Sequence, residues 1–227
     1  MLTLDLENAP VVERFRSFIE DRNFPCVGAK SALSRGTLRT VTCRSITSNW
    51  DDLSNYEALL DWSQEYRDDP SLFRSLAFLF EHSPSLTETE FEAALWDRVQ
   101  SLSDKDAFFG LPHDNRVSSD PDDPHFSLSF GGEAFFVVGM HPGASRPARR
   151  FDCPVMVFNL HDQFEQLRAQ GRYEKIRETI LDRDERLAGS LNPMLSRHGD
   201  VSEAAQYSGR AVGPEWECPY KDPRAKA

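Results

Sequence analysis

"HFSLSFGGEAFFVVGM", residues 125–140, decides the fold of this chain. Two runs rich in phenylalanine and valine flank Gly131-Gly132, and a glycine pair accepts the positive φ that a two-residue hairpin turn requires. The reading is a pair of antiparallel strands, with a third at "VMVFNL", 155–160. All of these apolar runs are far too short to span a bilayer, so no membrane partner is expected.

Working outward, "TLRTVTCRSI" (37–46) alternates Leu38, Thr40 and Thr42 against Arg39, Val41 and Cys43, as a strand does, and "SLFRSLAFLFE" (71–81) reads as a buried strand. Residues 9–22 place Val12, Phe15 and Ile19 on one helical face, and Pro25 disfavours helical geometry at the residues before it. Cys26 then falls just past a helix end. A second helix is predicted over 51–67, closed by Pro70. A third opens with Thr87 and Glu90 at capping-box spacing and carries Phe91, Leu95, Val99 and Leu102 along one face. Residues 110–125, with three prolines, read as a loop, and the stretch from His161 reads as helix with a break at Gly171. Strands and helices do not alternate strictly. The prediction is therefore an α+β fold, a single domain over residues 1–227 with a largely antiparallel sheet flanked by helices.

The chain has 227 residues, 39% hydrophobic, enough for one core. Its formal net charge of -11 disfavours attraction to phosphate backbones, and no nucleic-acid partner is expected. The N-terminus, "MLTLDLENAPVVERF", lacks a basic region followed by an apolar one, so a cytoplasmic location is expected. Cys26, Cys43, Cys153 and Cys218 are widely spaced without a C-x-x-C pair, and reduced thiols are the expectation.

Against that acidic background, "HPGASRPARR" (141–150) contains no acid at all. It follows a strand, and Pro147 can open a short helical turn. Exposed N–H groups, the Ser145 hydroxyl and the forks of Arg146, Arg149 and Arg150 suit carboxylates or phosphates; the competing reading pairs these arginines with surplus surface acids. "FNLHDQF" repeats the plan, with His161 at a helix start, so His141 and His161 would emerge at the same edge of the sheet if their strands are neighbours. "SEAAQYSGR" (202–210) adds Ser208 and Arg210. The phosphate-loop, dinucleotide, zincin and hydrolase-elbow signatures do not occur. The residues by themselves point to an anion-binding pocket.

The segments "NFPCVGAKSAL", "GMHPGASRPARRF", "VFNLHDQFEQLRAQGRYEKIRETILDRDERLAGSLNPMLSRHG" and "SEAAQYSGRAVGPEWECPY" resemble the YqcI/YcgG family. That family includes heme-dependent enzymes that hydroxylate a guanidine nitrogen. The resemblance implies heme b, its propionates held by Arg146, Arg149, Arg150 and Arg210 with the hydroxyls of Ser145 and Ser208. The iron ligand is expected to be His141, with His161 as second choice and a thiolate from Cys26 or Cys218 as the alternative. The implied reaction activates O2 with electrons from an external donor, such as a ferredoxin or reductase, and hydroxylates a nitrogen of a small guanidino or amino substrate. Glu203 and Asp162 are candidates to face the substrate's charge. Two alternatives stay open: a non-heme metal enzyme built on His141, His161 and Asp162, and a heme carrier or sensor without turnover. A homo-oligomer is compatible with all of these.

Overall fold

The glycine pair turns the chain as its conformational freedom suggests. In the computed structural model, which describes residues 9–197 and 199–225, five strands form one sheet: β1 (Leu38–Cys43), β2 (Ser75–Phe80), β3 (Leu128–Phe130), β4 (Glu133–Met140) and β5 (Val155–Leu160). Phe130 pairs with Glu133 across Gly131 and Gly132, whose φ angles are 61° and 79°. The strand order is β1-β2-β5-β4-β3. β1 and β2 run parallel, joined by a helical crossover, and every other pairing is antiparallel. The architecture is the α+β arrangement expected. Residues 1–8, most of the acidic start read for a leader, lie outside the described residues. Among the described residues no helix is long and apolar enough to cross a membrane.

Among the described residues seven α-helices flank the sheet: α1 (Pro10–Glu20), α2 (Val27–Ser34), α3 (Asp52–Asp68), α4 (Glu88–Phe108), α5 (His161–Ala169), α6 (Tyr173–Ala188) and α7 (Ala204–Tyr207). The capping box at α4 is present, with Thr87 accepting from the Glu90 N–H and Glu90 accepting from the Thr87 N–H. Sequence reading missed α2. That helix is short, has no acid in its first turn, and is capped by the sulfur of Cys26, an atom outside the usual capping set.

Alternation along the strands sorts the core into two. On one face Leu76, Phe78, Phe80, Phe135, Val137 and Phe158 pack against α3 and α4. On the other, Ala77, Leu79, Met140, Val155 and Val157 meet Val11, Val12, Phe15 and Ile19 of α1. Gly139 faces α4 so closely that an added Cβ would stand 2.7 Å from Leu95 and 2.8 Å from Phe91. The missing side chain is what lets the helix settle on the strand.

The sheet also corrects the expectation for the two histidines. β4 and β5 are neighbours, but they are antiparallel: Phe135 lies opposite Leu160 and Met140 opposite Val155. His141 follows one strand and His161 the other, so they leave opposite ends of the pair, about 20 Å apart at the usual rise per residue. They do not share an edge.

Gly139→Ala tests the α4 contact. Overpacking against Phe91 and Leu95 should destabilise the fold by about 1–3 kcal/mol, read as a lowered urea midpoint with an unchanged slope.

Candidate functional site

On the α1 face of the sheet the packing stops short, leaving a cavity of about 300 Å³. Alternate residues of β4, namely Phe136, Val138 and Met140, line it. Opposite them lie Ile176, Ile180 and Leu181 of α6, spaced along one helical face. Of the whole of α6 only Asp184 is buried, so its apolar stripe is turned to the cavity rather than sunk in the core. The volume falls within the range of small-molecule and cofactor sites.

Arg149 stands at one end. It comes from a 3₁₀ turn, Pro147–Arg149, and donates to three backbone carbonyls: Gly139 at 3.0 Å, Tyr207 at 3.1 Å and Gln206 at 3.1 Å. The reason lies in the sheet. β3 stops pairing at Phe135, so the rest of β4 has an unpaired edge, and Arg149 ties the end of α7 to it. Gly209, at φ 83°, leaves room for the guanidinium, whose Nη1 would lie 3.2 Å from an added Cβ. Burial pushes the guanidinium down to about 10, with the charge of Asp184 opposing that shift, so it stays protonated at neutral pH. Among the described residues Arg149 makes no ion pair. Arg146, also lining the cavity, does: it pairs with Asp184 and donates to Ser190.

The other predicted anion ligands go elsewhere. Arg150 folds back on its own turn, donating to the carbonyls of Ala144 and Ser145, and Ser145 is exposed with its N–H bonded to Glu88. Arg210 pairs with Glu92, to which Ser208 also donates. These four do not line the cavity. Of the three arginines of 141–150, Arg146 is the one that the described residues pair with an acid, and that acid, Asp184, is buried rather than on the surface.

His141 is not there either. It is 1% exposed, stacked on Phe91 at 4.3 Å, with Nδ1 lacking a partner among the described residues and burial lowering its pKa. His161 does line the cavity, at the end near Phe136. Its Nδ1 is 3.5 Å from the Ser127 hydroxyl and its Nε2 3.2 Å from Glu165. Ser127 donates to Glu203 at 2.6 Å, and so does the Tyr207 hydroxyl at 2.5 Å. Glu203 is a buried cavity residue, whereas Asp162 is taken by Tyr66, Gln166 and Arg116 outside it. His141, His161 and Asp162 thus do not converge. Among the described residues no group of three or more histidine, cysteine or acidic side chains is placed to hold a metal ion.

All four cysteines are free, and Cys26 alone of them lines the cavity. Its sulfur accepts the Ala29 N–H at 3.4 Å. Burial pushes the thiol up, while the N–H groups of Ala29 and Gly28 and the charge of Arg149 pull the other way. Burial also raises Cys43, Cys153 and Cys218, the last two to about 12. Cys26 thus differs in facing a helix N-terminus, a cation and open space together.

The sequence profile of the YqcI/YcgG family matches residues 15–221. No curated protein and no solved structure matches the chain.

Arg149→Met should leave the carbonyls of Gly139, Gln206 and Tyr207 without their donor and cost about 3 kcal/mol in urea denaturation. Alkylation of Cys26 should be slow at neutral pH and accelerate well into the alkaline range. The folded thiol is raised, so its thiolate appears only there; quantifying the Cys26 peptide by mass spectrometry against pH checks this.

Proposed function

The chain belongs to the YqcI/YcgG family, and from that premise we propose that its cavity takes heme b and that the protein is a monooxygenase acting on a nitrogen of a small guanidino or amino compound. The observation that carries the reading is the donor set. An apolar slot between β4 and α6 ends in an arginine without a carboxylate partner among the described residues, and a thiol at a helix N-terminus faces the same space. That set fits a flat, apolar group with two acidic tails and a metal needing a soft axial donor.

Arg149 would hold a propionate, with Arg146 beside it already balanced by Asp184. Cys26 would hold the iron through its sulfur: burial raises the thiol, and the N–H groups of Ala29 and Gly28 and the charge of Arg149 oppose part of that rise. It replaces His141 in that role because His141 is buried against Phe91 at the far side of its strand. The heme would supply the iron at which O2 is activated, with electrons from a ferredoxin or reductase, and a thiolate donor favours O–O cleavage. Glu203, held by Ser127 and Tyr207, presents a carboxylate to a cationic substrate. His161 can hold a proton at either ring nitrogen beside Ser127 and Glu165. Phe136, Val138, Ile176 and Ile180 keep bulk water from the reacting atoms.

Hemin titration of the purified protein should give one equivalent bound with an intense Soret band. The reduced carbon monoxide complex should show the strongly red-shifted band of thiolate ligation, and Cys26→Ser should remove that shift while His141→Ala keeps it. A protein that stays colourless on titration would overturn the reading. An N-hydroxy product from arginine, O2 and a reductant separates an enzyme from a carrier.

A further inference from the structure

Trp216, Trp96 and Tyr207 form a line of oxidisable rings from the surface to the cavity wall. Trp216 is partly exposed, and its ring centroid lies 6.4 Å from that of buried Trp96. Trp96 lies 5.7 Å from Tyr207. Tyr207 reaches the cavity twice, through its hydroxyl on Glu203 at 2.5 Å and through its ring, edge-on to Phe136 at 5.4 Å. Both Glu203 and Phe136 line the cavity.

The rest of the aromatic core is built differently. Tyr56 and Trp62 have Phe109 and Phe135 as their ring neighbours, and the buried sheet face beneath them is mainly phenylalanine. Phenylalanine is not oxidised where tyrosine and tryptophan are, and among the described rings in contact with Tyr207 (Trp96, Phe126 and Phe136) Trp96 is the one that can pass an electron vacancy on. Tyr220 touches Trp96 as a side branch at 6.2 Å, but its hydroxyl meets Ser103 rather than a carboxylate.

We propose that Tyr207, Trp96 and Trp216 carry one-electron oxidising equivalents from the cavity to the surface, a route that spares the cavity when no substrate is bound. The proposal rests on the heme reading only for the source of the oxidant, which is heme oxidised by hydrogen peroxide. Tyr207 loses one electron to that oxidant, and its phenolic proton passes to Glu203, leaving a neutral phenoxyl. An electron from Trp96 refills Tyr207 as the proton returns. Among the described residues Trp96 has no acceptor for its Nε1–H, so it keeps its proton and passes charge alone. Trp216 refills Trp96, and a reductant in solution, a thiol or ascorbate, refills Trp216.

The cofactor-free protein tests the path by itself. In a Trp50→Phe background, which removes an indole that is 70% exposed, azide radicals from pulse radiolysis should oxidise Trp216. Indolyl absorption should then convert to phenoxyl absorption at a rate independent of protein concentration. Tyr207→Phe, which removes a single oxygen and keeps the ring, should abolish most of the phenoxyl yield, and Tyr220→Phe should leave it. Trp96→Phe should block the conversion, and Glu203→Gln should slow it. An unchanged phenoxyl yield in Tyr207→Phe overturns the path, as does an unchanged conversion in Trp96→Phe. Failure to bind hemin would end the proposed function, and the radiolysis would still decide the path.

Discussion

Arg149 joins parts of the chain that no strand pairing brings together. β4 outruns β3, so its far half offers an unpaired edge, and the short α7 ends beside it with carbonyls that need donors. One guanidinium satisfies both, reaching Gly139, Gln206 and Tyr207. A lysine could not do the same, because its single ammonium lacks the planar fork that addresses several carbonyls at once. The cavity end is therefore shaped by a charge that the fold itself requires.

The cost of that arrangement is desolvation, which shows in the lowered pKa of Arg149 and the raised one of Cys26. The two effects oppose each other across the cavity, since the cation favours a thiolate and a thiolate would favour the cation. An anionic guest beside Arg149 would relieve the same strain. At the other end the balance is different: Glu203 already holds two hydroxyl donors, and His161 sits between a hydroxyl and a carboxylate.

Much of this was legible before the structure. The hairpin at Gly131-Gly132, the capping box at Thr87 and Glu90, a strand within residues 71–81 and the break at Gly171 all follow local rules of backbone conformation and capping, and all are present, the strand over the shorter span Ser75–Phe80. The basic stretch borders the cavity through Arg146 and Arg149, while Arg150 does not reach it. The sheet is largely antiparallel, as expected; what misled was the condition set on the histidines, that neighbouring strands would bring them to one edge. Two strands that end in histidine look alike in sequence, yet antiparallel pairing sends the histidines to opposite ends. The placement of Cys26 escaped for a local reason, since a helix capped by sulfur carries no familiar signal.

The sequence by itself determined the elements, the α+β class and the two faces of each strand, because those depend on turn residues, caps and alternation within a few positions. Only the tertiary structure decided which polar side chains meet. Arg149 went to the cavity, Arg210 to Glu92, Arg150 to its own turn and His141 to Phe91. Those choices depend on strand direction and on where β3 stops, and both are set by contacts between residues far apart in the chain.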